Sequence, residues 1–163
     1  MPPSSAVKAS ADAHLPRQRG HDVRTSFVLD ENVLPPPGDE GQADDDQHDR
    51  REGEQGRVIL AGLPPAELDA WLERVQLEPL TSFSCPSVDD LRRRIGEVAD
   101  RGYDINQGEI DEGACGISVP VRDRSGAVVA ALNVGGPTNR ITQQNMVADI
   151  LPTLLSAANR TVL

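Results

Sequence analysis

Aromatic residues are almost missing from this chain: one Trp, one Tyr and two Phe in 163 residues. So sparse a set excludes a stacking platform for exposed nucleic-acid bases. The two cysteines, Cys85 and Cys115, are too few for a disulfide framework. All three histidines, His14, His21 and His48, precede residue 56. The rest of the chain therefore lacks the main ingredient of histidine general-base catalysis and of most zinc sites. No apolar run approaches a membrane span, and the N-terminus lacks the apolar centre of a signal peptide. A cytoplasmic, reduced protein with no membrane association is the expectation.

Positive charge is scarce as well. Lys8 is the sole lysine, and the net charge is −10. Residues 1–55 hold 6 basic and 12 acidic side chains, and residues 56–163 hold 10 and 14. Neither part has the basic stripe that binding a phosphate backbone needs. The one basic cluster after residue 56, Arg92-Arg93-Arg94, falls on a predicted helix and reads as a solvated face.

What the chain does contain divides near residue 55. Residues 1–55 combine Pro35-Pro36-Pro37, the run Asp44-Asp45-Asp46 and scattered glycines with no sustained periodicity. Such a segment buries too little apolar surface to offset its ordering entropy, so a disordered leader is expected. Within it, only Phe27-Val28-Leu29 is apolar enough to dock as an isolated strand.

Beyond that boundary there is length for one domain. Ile117, Val119 and Val121 alternate with Ser118, Pro120 and Arg122, the period of a strand with one buried face. Val128 to Val134 is almost continuously apolar, as in a strand covered on both faces. Asp123-Arg124-Ser125-Gly126 supplies turn chemistry between them, so the segment is a hairpin. Pro120 cannot donate to the ladder and belongs at an edge or a bulge.

Helices flank the hairpin. GRVILAGL (56–63) is ambiguous between helix and strand, and Pro64-Pro65 then opens a helix with a Leu68, Trp71, Leu72, Val75 stripe. Ser87 caps another helix that buries Val88, Leu91, Ile95 and Val98 and stops at Gly102. Thr142 caps a last helix with Met146, Ile150, Leu154 and Ala158 on one face, beside Val147, Leu151 and Leu155; Pro152 predicts a kink in it. The fold class is α+β, and the expected core is Trp71, Leu72, Leu91, Ile95, Val119, Val121, Leu132, Ile150 and Leu154. Glu109, Asp111 and Glu112 read as a solvated acidic loop rather than a catalytic carboxylate pair.

The order of these parts, with the phrases GRVILAGLPPAELDAWL, LRRRIGEVADRGYDIN and EGACGISVPVRDRSGAVVAALNVGGPTNRIT, resembles the later part of the effector-binding domain of IclR-type bacterial transcription regulators. AALNV and NMVADILPTLLSAA are similar to the branch that governs aromatic-acid (β-ketoadipate pathway) catabolism. The resemblance implies an incomplete GAF-like antiparallel sheet with flanking helices over residues 56–163. It implies a small organic acid effector, aromatic in that branch, and assembly with itself or with a paralogous regulator. DNA contact would come only through a helix-turn-helix domain, which residues 1–55 do not resemble. The expectation is therefore a regulator truncated or frame-disrupted at its start, with a leader that is not family sequence.

Carried over position by position, the resemblance places the effector pocket at Asn106, Cys115, Gly116, Asn133 and Gly135, with no catalytic residue, metal ligand or cofactor. Backbone N–H groups and neutral amides suit a small carboxylate, and glycine lets it approach the backbone. Gly116 and Gly135 read equally as strand-end glycines, Asn106 as a turn residue and Cys115 as a small buried apolar side chain. Cys115-Gly116 stands where the aromatic-acid branch often has Arg-Ser, which removes a bidentate cation. Two further readings remain: an assembly module that acts without ligand, and a small enzyme with Cys115 as nucleophile.

Overall fold

A computed structural model describes residues 53–161 in full and the backbone of the strand Arg24–Leu29. Most of the leader expected over residues 1–55 thus lies outside the described residues. Where that stretch is described, it is part of the fold. Strand β1 (Arg24–Leu29) pairs antiparallel with the hairpin's second strand, and the first helix begins at Glu54.

The ambiguous octet is a helix, α1 (Glu54–Leu60). Val58 and Ile59 pack with Val98 and Ala131, while Leu60 packs with Leu72, Leu91 and Ile95. A helix buried on several sides shows no single apolar stripe, which is why its period could not be read. Helix α2 (Pro65–Leu72) follows two prolines, and of its expected stripe only Leu72 is fully buried. Helix α3 (Val88–Arg101) buries Leu91, Ile95 and Val98. Ser87 Oγ accepts the Asp90 N–H at 3.1 Å, and Gly102 closes the helix at a φ of 78° that favours glycine.

After α3 comes a strand the sequence did not reveal, β2 (Asp104–Gln107), followed by the hairpin β3 (Ala114–Arg122) and β4 (Val128–Pro137). Four residues beside a glycine-rich loop carry too little pattern to distinguish strand from loop. The sheet is open and antiparallel, in the order β1-β4-β3-β2. In the hairpin turn Asp123 Oδ1 accepts from the Ser125 and Ala127 N–H groups at 2.8 and 3.1 Å. Pro120 sits past the end of β2 and next to the register shift at Val121/Arg122.

The last helix, α4 (143–160), changes pitch on its way. A turn at Gln143–Asn145 leads into a π turn, Met146–Ile150, and then into α-helix Leu151–Arg160. Leu151 N–H bonds Met146 O, five residues back. Pro152 has no N–H to offer the preceding turn, and the widened turn accommodates that loss. The extra residue moves the buried stripe to Met146, Leu151, Leu154 and Ala158; Ile150 is only half-buried, and Val147 and Leu155 are exposed.

The expected single core is in fact split by the sheet. Val119, Val121, Leu132 and Leu154 lie on the α4 side, whereas Leu72, Leu91 and Ile95 pack with α1 to α3 on the other. Trp71 and Ile150 sit at the margins, partly buried.

Candidate functional site

Cross-strand register assembles four of the five sequence-derived positions. Asn106 opposes Gly116, Gly116 opposes Gly135, and Ser118 opposes both Asp104 and Asn133. Directly opposed residues of antiparallel strands share a face, so two adjacent rows form on the side covered by α1: Asn106, Gly116, Gly135 and then Asp104, Ser118, Asn133. Cys115, one residue out of phase, faces the other way. Its Sγ lies 3.3 Å from Gly136 O and 3.5 Å from Ile141 O, within the apolar cluster beneath α4. Burial, with the nearby Glu54 charge adding to it, raises its pKa above the ordinary thiol value. A thiol so placed is a poor nucleophile, and the structure separates Cys115 from the other four positions.

The face beneath α1 is polar although buried. Glu54, 7% exposed, sends Oε1 to within 3.1 Å of Asn133 Nδ2, which donates to it. A Cβ built at Gly116 would lie 2.5 Å from that oxygen. At Gly135 a Cβ would lie 3.1 Å from Cys115 O. Glycine at both positions therefore makes room, at Gly116 for a carboxylate. Asn106 Oδ1 accepts the Glu109 N–H at 3.0 Å, so this amide also closes the start of the loop after β2.

One turn along α1, the fully buried Arg57 donates from Nε to Asp104 Oδ2 at 2.5 Å and from Nη1 to Glu109 Oε2 at 2.6 Å. Arg101 bonds the other oxygen of Asp104 at 2.5 Å, and Arg94 bonds the other oxygen of Glu109. Cations and carboxylates alternate: Arg101, Asp104, Arg57, Glu109, Arg94. Burial by itself pulls the Arg57 pKa down, but the Asp104 and Glu109 carboxylates outweigh it and hold the value above normal. Thr81 and Ser84 hydroxyls donate to Gly108 O and Glu109 O at 2.6 Å, fixing the loop that carries Glu109.

This corrects the reading of a solvated acidic loop. Asp111 and Glu112 are exposed, but Glu109 is 6% exposed and doubly ion-paired. The arginine cluster divides in the same way: Arg92 and Arg93 form surface pairs, and Arg94 turns inward. Glu54, Arg57 and Asp104 were missed altogether. Arg57 inside GRVILAGL and Asp104 inside GYDIN each interrupt an otherwise uncharged stretch. A lone charge in such a run is a sign of a buried, paired group.

Beyond the network a cleft of about 560 Å³ opens beside β2, between α3 and the 108–113 loop. Phe83, Arg94, Arg101, Gln107, Thr138 and Gln143 contribute to its walls, as do Glu97, Asp104, Glu109 and Glu112. None of the five sequence-derived positions lines it. Among the described residues there is no cluster of His, Cys, Asp and Glu that could hold a metal ion, and no helix is long and apolar enough to cross a membrane.

Comparison with known proteins gives this face its context. The Pca regulon regulatory protein of Pseudomonas putida is 34% identical over 103 residues, 63% of this chain and 35% of its own length. The C-terminal domain of the Escherichia coli transcriptional regulator KdgR matches with a TM-score of 0.61 at 30% identity, covering 66% of this chain and 65% of that one. The inducer-binding domain of an Acinetobacter PobR transcription factor, a double mutant in complex with 3-hydroxybenzoic acid, shares the fold. Its TM-score is 0.69 at 24% identity, covering 83% of this chain and 85% of that one. These relatives are transcription regulators, not enzymes, and the chain spans about a third of the length of the curated relatives it matches. Residues 53–162 match the family model of the bacterial transcriptional regulator IclR C-terminal domain, and the chain belongs to that family.

Proposed function

We propose that this chain senses a small carboxylic acid through the face beneath α1 and assembles with itself or with a paralogous regulator in the cytoplasm. One observation carries the first part. Asn106, Gly116 and Gly135 form one row with Asn133 in the next, and a carboxylate, that of Glu54, already lies against Gly116 and Asn133. A neutral amide donor beside side-chain-free glycine matches an acid group at a smaller desolvation cost than a buried cation. The aromatic-acid ligand of the PobR relative supports aromatic acids as the first class to try. Exposed Val147 and Leu155 on α4 support the assembly part. DNA contact, in this reading, is made by a helix-turn-helix domain and not by residues 56–163, which are net negative.

The test is a thermal-shift screen of the 163-residue chain against small aliphatic and aromatic acids. A ligand that binds only the folded state must raise Tm, by an amount equivalent to about 2.7 kcal/mol at a hundredfold excess over Kd. No stabilisation by any acid at millimolar concentration would instead favour the assembly module that works without ligand. That second reading draws on the same Glu54 carboxylate, which fills the position from within. Sedimentation velocity tests assembly in either case, and a strictly monomeric chain would overturn it.

A further inference from the structure

We propose that Glu54 is an internal occupant of the effector site, holding the place of the effector's carboxylate until an acid displaces it. This inference rests on the acid-effector reading and extends it to the residue that sets affinity and charge preference. Glu54 is buried, and among the described residues its Oε1 bonds the neutral Asn133 amide. Among the described residues no cation pairs with it, because Arg57, one turn on, directs its Nε and Nη1 to Asp104 and Glu109. A carboxylate held by a neutral amide gains less than one paired with a cation, so its position is open to exchange.

The surroundings favour exchange as well. Glu54 is the first residue of α1, and Gly53 before it provides no side-chain cap. The ion network begins at Arg57, so a swing of the Glu54 side chain would take the carboxylate out without breaking that network. Gly116 supplies the space: with any Cβ there, Oε1 would have to move. An anionic effector and the Glu54 carboxylate cannot share that space, since like charges brought together in one site oppose binding. Effector entry and Glu54 release are therefore one event, sensed at the start of α1.

The experiment compares the full chain with Glu54→Ala and Glu54→Gln by calorimetric titration. The probes are 3-hydroxybenzoate and its uncharged analogue 3-hydroxybenzamide, and circular dichroism reports folding. Removing the like charge should tighten 3-hydroxybenzoate binding roughly tenfold or more in both variants, and the amide should gain less. Glu54→Gln keeps the shape and an acceptor for Asn133, so it serves if the alanine variant does not fold. Unchanged acid affinity in both folded variants would overturn the inference while leaving the effector reading intact. Equal gains for acid and amide would also overturn it, making Glu54 no more than filler. Binding of neither probe to any of the three chains would remove the inference together with the aromatic-acid form of the reading beneath it.

Discussion

Arg57 and Glu109 meet at 2.6 Å across 52 residues of sequence, and both are almost wholly buried. The contact ties α1 to the loop after β2, and through Asp104 it ties both to the sheet and to α3. Breaking such a pair strands charges that cannot reach water. Arg57→Met should therefore cost about 3–5 kcal/mol in urea unfolding, although the side-chain volume is nearly kept. A loss below about 1 kcal/mol, the range of a surface pair, would mean that water reaches the network.

Leu132 stands on the α4 side of the sheet opposite Val119. Leu132→Ala should cost about 2–5 kcal/mol, the range for a truncated core leucine. Leu155→Ala, on the exposed side of α4, should stay within about 0.5 kcal/mol in the isolated chain. Equal losses at both positions would show that the π turn does not set the buried stripe of α4.

Ser87 holds Asp90 twice, accepting its N–H and donating to Oδ2 at 2.7 Å. That donated bond, helped by Arg93, keeps the Asp90 carboxyl below the ordinary aspartate range. A carboxyl lowered in the folded state adds stability above its unfolded pKa and loses it as pH falls through the folded value. Ser87→Ala should cost roughly 0.5–2 kcal/mol at neutral pH. The Tm gap between the two chains should then narrow in acid below the aspartate range, and a gap independent of pH would remove the Ser87–Asp90 link.

Cys115 should alkylate far more slowly than a free thiol at neutral pH, and at the free rate once the chain is unfolded in urea. Burial is the main cause of its raised pKa, and the Glu54 charge adds to it. Glu54→Gln should accordingly shift the pH profile of alkylation downward. Fast reaction of the native thiol at pH 7 would contradict its placement beneath α4.

Local pattern was enough for the hairpin, its turn, the Ser87 and Gly102 boundaries of α3 and the start of α4. Each is fixed by residues near in sequence: an alternating run, a side-chain acceptor for a free N–H, a glycine at positive φ. The same phrases carried the family resemblance, because short-range spacing survives when most residues change. Sheet register then placed Asn106, Gly116, Asn133 and Gly135 on one face, and Cys115 on the other.

What only the tertiary structure decided depends on contacts between distant segments. Whether GRVILAGL was helix or strand turned on its being packed on several sides, which erases periodicity. Whether Glu109 was solvated or buried turned on Arg57 and Arg94, 52 and 15 residues away. The side of the sheet that Cys115 faces follows from a one-residue phase that side-chain alternation turns into opposite environments. The pitch of α4 arose where Pro152 met the packing demands of Met146 and Leu151. Burial, ion pairing and the choice of face are long-range quantities, and a chain read residue by residue names their components without fixing their partners.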